Sequence, residues 1–321
     1  MPVNSKNCIA DSILNRIVEE AGIQSQGPFI VSDKGYSSNC FFTKTPEGDI
    51  CIRVYFKGFE VDQVKMEVMS LIYFSEKNIP VPKIIKLRNG SYFFNDDDLI
   101  AFCYYCIPGR TISQRELTPE ISQQAGEMLS KMLTYSLGYS EATIPRNDYE
   151  EVHKLFRNQS SRLASLLNVK TVLAFDDFFK RANHACYFSN LDEGLVHGDF
   201  YYDNVIFNNG VISGVIDFGD AYIGHPFTDI VIGSMEFSTT ADQFIDKACM
   251  LSFLLPFKNY LRQQGIKAEF FYDTIILNCI MFSILTIGTD NENDYVLRFH
   301  NFIEEKQKNT IIDIINNVLE V

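Results

Sequence analysis

Strand-forming patterns are concentrated in the first third of this 321-residue chain, and most of the remainder has a helical pattern. The strand-like segments are short β-rich runs separated by turn-forming clusters, at residues 29–31, 40–44, 50–56, 84–87, 92–94 and 99–107. Helical periodicity at residues 61–72 separates the two groups of runs, and another helical pattern at residues 9–21 precedes them. This order predicts a small antiparallel sheet accompanied by helix.

One β-rich island, residues 194–218, interrupts the helical remainder of the chain. Its two runs flank Asn209-Gly210, which is the strongest short signal for a β-hairpin. Pro108 and Gly109 end the β-rich first third. We therefore predict an α+β fold with two lobes: residues 1–107 with a small antiparallel sheet and one helix, and residues 108–321, mainly helical, with an embedded hairpin.

The charge balance excludes one large class of partners. Lys and Arg number 28 against 41 Asp and Glu, a formal net charge of -13. Proteins that bind nucleic acids without specificity depend on basic side chains that displace counterions, so no nucleic-acid partner is expected. A hydrophobic content of 46% also excludes an extended disordered chain.

The cysteines and the apolar runs bear on location. The eight cysteines are scattered and lie mostly in apolar runs, which predicts reduced packing thiols in a cytoplasmic protein. Cys103 and Cys106 have the spacing of a zinc or redox pair, but no second pair accompanies them and their segment has a strand pattern. The N-terminal segment lacks the apolar core of a secretory signal, and the apolar stretch at residues 275–287 predicts a buried helix rather than a membrane span.

Polar residues crowd around the hairpin. Asp199 and Asn204 precede its first strand, and Asp217 follows its second. Folding at Asn209-Gly210 pairs positions whose numbers add to about 419, which returns Asp217 to within a residue or two of Asn204. The sequence thus predicts three oxygen-bearing side chains at one end of a two-stranded ribbon.

Such a group of oxygen atoms suits a hard divalent cation. Mg²⁺ takes few protein ligands, prefers carboxylate and amide oxygens, and shares its remaining positions between water and phosphates. We expect Asn204 and Asp217 to hold Mg²⁺ and Asp199 to accept a proton from a hydroxyl group. The competing interpretation, ordinary loop and capping residues, is disfavoured because the full spacing from His197 to Asp217 rarely arises by chance.

The segments His197 to Asn204 and Val215 to Asp220 resemble the catalytic region of the aminoglycoside phosphotransferase and choline kinase superfamily. This superfamily has a protein-kinase-like fold and includes type II homoserine kinase and hydroxylysine kinase. The resemblance covers most of the chain and implies that His197 organises the catalytic loop and that Asp229 braces it through main-chain N–H groups. It leaves Asp203 and Asp220 open between support of the metal site and contacts with substrate.

The same resemblance implies a nucleotide site in the first lobe. Arg53 stands where most members have the Lys that contacts phosphate, and Glu67 stands at the position of its acidic partner, with Glu60 as the alternative. Arginine is charged at any working pH and offers two donors to phosphate. The remaining positions are a phosphate loop that includes Ser37 and Ser38, and main-chain atoms near Tyr105 and Ile107 for the adenine edge.

These assignments predict a kinase that moves the γ-phosphate of ATP or GTP to a hydroxyl group of a small molecule, with Mg²⁺ as cofactor. Known acceptors of the resembled families usually carry amines, so a cationic acceptor is expected. Acids that stand as candidates to line its pocket, with solvated surface as their alternative, are Glu236, Asp242, Asp246, Asp273, Glu292, Asp294, Glu304 and Glu305.

Within the class, an antibiotic phosphotransferase and a metabolic kinase for homoserine, hydroxylysine or choline share the motif at residues 214–220. Arg53-Val54-Tyr55 favours the metabolic branch. Two other classes stay open: a catalytically weak nucleotide-binding scaffold, suggested by Arg53, and a metal-dependent hydrolase that uses the same carboxylates.

Overall fold

A computed structural model of the protein describes residues 9–32, 38–56, 61–96, 98–139, 148–181, 188, 190–289 and 292–320. The chain divides into two compact units. The first runs to Gly109 and includes Ser213–Ala221, and the second comprises Arg110–Ile212 and the chain from Tyr222 onward. Each unit is described separately below.

The first unit contains a six-stranded antiparallel sheet with the strand order β1-β2-β3-β6-β4, and β5 also pairs with β6. Its strands are β1 (Ile30–Val31), β2 (Asn39–Thr45), β3 (Gly48–Phe56), β4 (Lys83–Ile85), β5 (Phe94–Asp96) and β6 (Leu99–Tyr105). Every strand lies in a β-rich run predicted from the sequence or within two residues of one, so the antiparallel sheet is confirmed.

Helix α1 (Asp11–Glu20) covers one face of this sheet. Its buried residues Leu14, Ile17 and Val18 share a core with Ile52 and Val54 of β3. Apolar residues at three- and four-residue spacing give the helix one apolar face, and that face can be buried only against the sheet. The first unit therefore has α1 in addition to the single helix that the fold prediction gave to this lobe.

Helix α2 (Val61–Glu76) supplies the other face with a buried acid, Glu67. Side chains of a strand alternate between faces, so Arg53 and Tyr55 point away from Ile52 and Val54. Both of these polar side chains contact Glu67. The alternation of side chains along β3 and the position of Glu67 on α2 thus bring an arginine and a glutamate together inside the protein.

The segment Ser213–Ala221 belongs to the first unit, although the predicted division at residue 107 or 108 assigns it to the second lobe. Its contacts explain this difference. The main-chain N–H of Val215 donates to the carbonyl oxygen of Pro80 at 2.8 Å, and Ser213 Oγ donates to that of Pro108 at 3.0 Å. Asp217 also pairs with Arg53. Spatial contacts therefore cross the boundary that chain order suggests.

The second unit is mainly helical. Its α-helices are α3 (Pro119–Ser136), α4 (Asp148–Leu166), α5 (Val169–Arg181), α6 (Phe227–Glu236), α7 (Lys247–Leu254), α8 (Lys258–Gln263), α9 (Ala268–Leu285), α10 (Glu292–Phe302) and α11 (Glu305–Glu320). Strand β7 (Gly194–Val196) pairs antiparallel with β10 (Tyr222–Gly224). These two strands frame the sequence that carries the catalytic motif.

The predicted hairpin is present. Strands β8 (Val205–Asn208) and β9 (Val211–Val215) form a two-stranded sheet. The connecting residues Asn209 and Gly210 have φ angles of 51° and 79°. Positive φ at both central residues is the requirement of a type I′ turn, which Asn-Gly meets at low cost.

Helix α9 contains most of the long apolar stretch. Among the described residues it is the helix with the length and composition to cross a membrane, and 78% of it is buried within the protein. Most of its side chains, including Ile275, Asn278 and Ile284, are buried, which confirms the predicted buried helix. The cysteines within the described residues are free thiols: Cys40, Cys51, Cys103, Cys106, Cys249 and Cys279.

Candidate active site

The polar centre of the first unit is built around Arg53. Its Nη1 lies 3.0 Å from Glu67 Oε1, and its Nη2 lies 2.8 Å from Asp217 Oδ1. The side chains of Arg53 and Glu67 are 7% and 2% exposed, whereas that of Asp217 is 43% exposed. One buried cation is therefore shared by two carboxylates, and one of these carboxylates reaches solvent.

Burial and the neighbouring charges together determine the pKa values of Glu67 and Arg53. Burial raises the pKa of Glu67 to about 7; attraction to Arg53 opposes the rise, and the negative charge of Asp217 adds to it. Burial alone would lower the pKa of Arg53, but the two carboxylates outweigh burial and raise it well above its usual value. Arginine stays charged, while the glutamate beside it titrates near neutral pH.

Two further features complete this centre. The hydroxyl group of Tyr55 donates a hydrogen bond to Glu67 Oε2 at 2.5 Å. The Nε atom of Arg53 is enclosed and has no hydrogen-bond partner among the described residues. Arg53 therefore presents both terminal nitrogens to acids, while its Nε–H group is enclosed and unsatisfied among the described residues.

The backbone around Asp217 requires special residues. Asp217 has a φ angle of 63°, a left-handed conformation that Asp tolerates better than most residues. A Cβ atom at Gly219 would lie 2.9 Å from Arg53 Nη2 and 3.2 Å from Asp217 Oδ1. Gln63 Nε2 fixes the segment by donating to the carbonyl oxygens of Gly219 and Ala221 at 2.7 and 3.0 Å. Glycine at 219 thus permits the ion pair of Arg53 with Asp217.

The predicted catalytic loop, residues 197–204, lies in the second unit and is bound by Asp229 of α6. The main-chain N–H groups of His197 and Gly198 donate to the two carboxylate oxygens of Asp229 at 2.7 and 2.9 Å. The N–H of Asp199 donates to His197 Nδ1 at 3.2 Å. The hydrogen bonds predicted for Asp229 are present, and His197 forms one hydrogen bond within the loop.

Asn204 orients Asp199. Its Nδ2 donates both to the main-chain oxygen of Asp199 at 2.8 Å and to Asp199 Oδ2 at 2.9 Å. Asn204 is 5% exposed and stands at the end of a short 3₁₀ turn, Tyr202–Asn204. Because its amide nitrogen is engaged by Asp199, the atom that Asn204 offers to a cation is its amide oxygen.

Each unit contributes one of the two side chains that the sequence predicts as ligands of Mg²⁺. Asp217 of the first unit has a partly exposed carboxylate and Asn204 of the second an amide oxygen, and both are ligand types that Mg²⁺ prefers. Within the described part of the chain, no group of three or more His, Cys, Asp or Glu side chains could hold a metal alone. A metal bound with few protein ligands would share its coordination with phosphates and water.

Only some of the other predicted nucleotide contacts lie within the described residues. Tyr105 ends β6, where it pairs with Ile50 and Lys83. Among the described residues, no main-chain hydrogen bond involves Ile107, so its peptide groups suit the edge of a base. Ser38 is buried directly before β2, while Ser37 and the alternative acid Glu60 lie outside the described residues.

Sequence reasoning missed an arginine in the second unit. Arg298 of α10 pairs through Nη1 with Glu236 of α6, and its Nε donates to Gln243 Oε1 at 2.9 Å. Both charged side chains are buried, at 3% and 2% exposure. The sequence signal was a lone cation between aromatic residues in Tyr295 to Phe299, which an amphipathic helix also produces.

The other candidate acids for the acceptor pocket do not form one group. Asp242, Asp294, Glu304 and Glu305 are exposed, and Asp246 caps the N-terminus of α7. Asp273 is partly buried, which raises its pKa to about 6, and the side chain of Glu292 lies outside the described part of the chain. Glu236 differs from these acids because it is buried and paired. Solvated surface therefore accounts for most of the predicted acidic set, and Glu236 is the exception.

A family model described as "Phosphotransferase enzyme family" matches residues 31–251, more than half of the chain. The chain belongs to this phosphotransferase family. Its membership confirms both the predicted superfamily and the expected enzyme class, a kinase of small molecules.

Relatives of this phosphotransferase include homoserine kinases. That of Pseudomonas aeruginosa strain UCBPP-PA14 is 21% identical over 254 residues, which cover 78% of this chain and 77% of the relative. That of Neisseria meningitidis serogroup B is 29% identical over 94 residues, and this match spans 29% of the chain and 31% of the relative's length.

Solved structures confirm the predicted α+β, kinase-like fold. An amicoumacin kinase in complex with AMP-PNP and Ca²⁺ has a TM-score of 0.67 at 15% identity, covering 93% of this chain and 94% of that one. An aminoglycoside phosphotransferase from Alicyclobacillus acidocaldarius has a TM-score of 0.63 at 12% identity, covering 99% and 98%. Identity at this level shows the fold and leaves the acceptor to be argued from the residues.

Proposed function

We propose that this phosphotransferase moves the γ-phosphate of ATP or GTP, with Mg²⁺, to a hydroxyl group of a small, amine-bearing molecule. The observation that carries the proposal is the fixed carboxylate of Asp199. Asn204 holds its Oδ2, and Asp229 and His197 hold the loop on which it stands. An oriented carboxylate in such a loop is the group that accepts the substrate proton in kinases.

The chemistry assigned to each residue follows from its contacts. Asp199 accepts the proton of the acceptor hydroxyl as the oxygen of that hydroxyl attacks the γ-phosphorus and the bond to the nucleoside diphosphate breaks. Arg53, held against Glu67, contributes positive charge for the phosphates. Asp217 and Asn204 are the proposed ligands of Mg²⁺, which supplies further positive charge for the transferred group.

The proposal also includes a site for the nucleotide base and phosphates. Main-chain groups near Tyr105 and Ile107 would receive the edge of the base, and the segment of Ser37 and Ser38 would approach the phosphates. We also propose a cytoplasmic location, supported by free thiols at each described cysteine.

The decisive experiment measures diphosphate release and product formation for the wild type and for Asp199→Asn. The variant keeps the size of the side chain but cannot accept the proton, so we expect kcat to fall by about 10²–10⁴-fold. Nucleotide affinity should stay within a factor of a few. Asp176→Asn is a matched control, because Asp176 lies in an exposed pair with Lys180 on α5.

Each alternative has its own outcome. An unchanged rate in Asp199→Asn would show that the proposed base is wrong. Nucleotide binding without transfer by the wild type would support the weak scaffold suggested by Arg53. Turnover that persists when nucleotide is omitted would indicate a hydrolase.

The acceptor class has two candidates, an antibiotic and a metabolite. The relatives named homoserine kinase favour the metabolic candidate, because five of them match 68–78% of this chain. A diphosphate-release screen over aminoglycosides, macrolides, hydroxy amino acids, choline and amino alcohols separates the two. Transfer to antibiotics alone would exclude the metabolic candidate.

A further inference from the structure

Two free thiols, Cys40 and Cys51, lie on the face of the first-unit sheet that carries Arg53. Cys51 stands two residues before Arg53 on β3, and alternate side chains of a strand share a face. Cys40 of β2 is paired with Arg53, and residues directly opposite each other in an antiparallel pair also share a face. The proposed function assigns a role to Arg53 and none to either thiol.

Cys51 lies between the two ends of the proposed nucleotide site. At the base end, Tyr105 is paired with Ile50 of β3. At the phosphate end stands Arg53, three residues from Ile50, which is about 10 Å at the rise of a strand. A nucleotide whose base lies near Tyr105 and whose phosphates lie near Arg53 would therefore cross the sheet at Cys51 and lie beside Cys40.

The two thiols differ in their access to solvent. Cys51 is fully buried, and its thiol donates a hydrogen bond to the sulfur of Cys40. Cys40 is only partly buried. Cys40 is thus the member of the pair that a solute can reach, and Cys51 supports it as a hydrogen-bond donor.

Neighbouring groups favour the thiolate form of Cys40. The hydrogen bond from Cys51 lowers the pKa of Cys40, and the positive charge of Arg53 lowers it further. Burial and the negative charges of Asp217 and Glu67 oppose this change without cancelling it. The thiolate is the nucleophilic form of cysteine, so Cys40 has the character of a reactive thiol.

We propose that Cys40 is a modification site for low-molecular-weight disulfides, such as glutathione disulfide, and that its modification competes with nucleotide binding. The thiolate sulfur of Cys40 attacks one sulfur of the disulfide, the bond between the two disulfide sulfurs breaks, and the other half leaves as a thiolate. Cys40 is oxidised to a mixed disulfide, one small thiol is released in reduced form, and the proton of Cys40 passes through solvent to it. The competition rests on the proposed function, because it requires the nucleotide site described above.

The mixed disulfide is the end point of this exchange. Cys51 is the thiol that could attack next, but burial raises its pKa well above the usual value, so it stays protonated at neutral pH. Cys51 is also diagonal to Cys40 across the two strands, where Cα atoms are about 7–8 Å apart. A disulfide prefers a Cα separation of about 4.4–6.8 Å, so closure would require the strands to move. The attached group therefore stays on Cys40, beside Arg53.

Cys106 provides a matched comparison within the same unit. It is also a free, partly buried thiol. Burial raises the pKa of Cys106 to about 12, and the negative charge of Asp49 adds to the rise. Because Cys106 lacks the influences that favour a thiolate at Cys40, we expect Cys40 to react at least about 10-fold faster.

The test treats the full-length protein with glutathione disulfide at neutral pH and follows the adduct at each cysteine by peptide mass spectrometry. Nucleotide with Mg²⁺, at about 10 times its dissociation constant, should slow labelling of Cys40 about 10-fold. Labelling of Cys40 no faster than that of Cys106 would overturn the proposal. A labelling rate that bound nucleotide leaves unchanged would do the same.

Two substitutions of Cys51 isolate the effect of its hydrogen bond. Cys51→Ala removes the donor, so labelling of Cys40 should slow by about 3- to 10-fold. Cys51→Ser is the matched control, because its hydroxyl group is again a donor, and the rate should stay closer to that of the wild type. Thermal unfolding of both variants checks that they fold. Equal rates in folded Cys51→Ala and the wild type would contradict activation of Cys40 by this bond.

Nucleotide affinity is measured for each protein before and after treatment, so that every variant is its own reference. Treatment should weaken binding by the wild type at least about 10-fold, and dithiothreitol should restore it. The affinity of Cys40→Ser should not change on treatment. Unchanged affinity of a wild type modified at Cys40 would overturn the proposal. Absence of nucleotide binding by the untreated wild type would overturn the proposed function and the competition with it, while selective labelling of Cys40 would still establish the modification site.

Discussion

The two units each bury one arginine against one glutamate, but the surroundings of the two pairs differ. Arg53 and Glu67 share their site with a second acid, Asp217, and Arg53 Nε has no partner among the described residues. Among the described residues, no second acid forms an ion pair with Arg298; Gln243 accepts from its Nε, and the ring of Tyr295 lies under the guanidinium group. The first group carries a net negative charge when all three members are ionised, and the second pair is neutral.

This difference matches what the first group is proposed to bind. A net negative group that includes a partly exposed carboxylate is suited to receive a further cation, such as a divalent metal. The pair of Arg298 and Glu236 is neutral, and both of its side chains are buried, at 3% and 2% exposure. The same two residue types thus differ in net charge and in access to solvent because of the third group beside Arg53.

Replacement of each arginine by methionine has the largest expected effect. Arg53→Met leaves two carboxylates without their cation, so we expect a loss of stability of about 3–5 kcal/mol and loss of measurable nucleotide binding. Arg298→Met should leave nucleotide affinity close to the wild-type value when no acceptor is present. Denaturant unfolding and nucleotide titration of both variants check these outcomes.

Equal weakening of nucleotide binding in the two variants would contradict a nucleotide-binding role that Arg53 has and Arg298 lacks. Wild-type nucleotide affinity in Arg53→Met would also show that Arg53 does not replace the usual lysine.

The pH dependence of stability gives a second, smaller effect. The pKa of Glu67 is about 7 in the folded protein, above its usual value of 4.5, so the folded state holds an extra proton between these values. The stabilisation that Glu67 contributes is then fully present below about pH 4.5 and is lost as the pH rises through 7. The shift corresponds to about 3 kcal/mol in total.

Denaturant unfolding of the wild type and of Glu67→Gln between pH 5 and 8 measures this effect. We expect the wild type to lose stability relative to the variant as the pH rises. Asp217→Asn, which removes a nearby negative charge, should lower the pKa of Glu67 and reduce the loss. A difference that does not change with pH would show that Glu67 is ionised throughout this range.

Local patterns predicted the parts of this molecule that local forces determine. The β-rich run at residues 50–56 predicts a strand, and Asn209-Gly210 predicts the hairpin turn with positive φ angles that the structure has. The spacing from Asp199 to Asn204 placed both residues in one loop, which the hydrogen bond between their side chains closes over five residues. Short-range geometry leaves few alternatives for such segments.

Contacts between distant residues were not predictable in the same way. Arg298 and Glu236 are 62 positions apart, and nothing in either helix specifies the other as its partner. Likewise, Ser213–Ala221 follows the catalytic loop in sequence, yet it bonds to Pro80 and Arg53 in the first unit. Periodicity indicates which face of a helix or strand is buried, but tertiary packing decides which buried polar groups meet.

The smallest expected change in stability comes from removal of a single hydroxyl group. Tyr55→Phe removes the donor to Glu67 Oε2, so we expect a loss of about 1.5 kcal/mol and a further rise in the pKa of Glu67, because this bond stabilises the ionised carboxylate. Tyr260→Phe in the second unit is the matched control, since the Tyr260 hydroxyl is enclosed without a partner in the described structure. Removing an unsatisfied polar group should leave stability unchanged or raise it slightly. Unfolding at pH 6 and pH 8 measures both changes, and equal losses in the two variants would mean that lost packing, rather than the bond to Glu67, accounts for the effect of Tyr55→Phe.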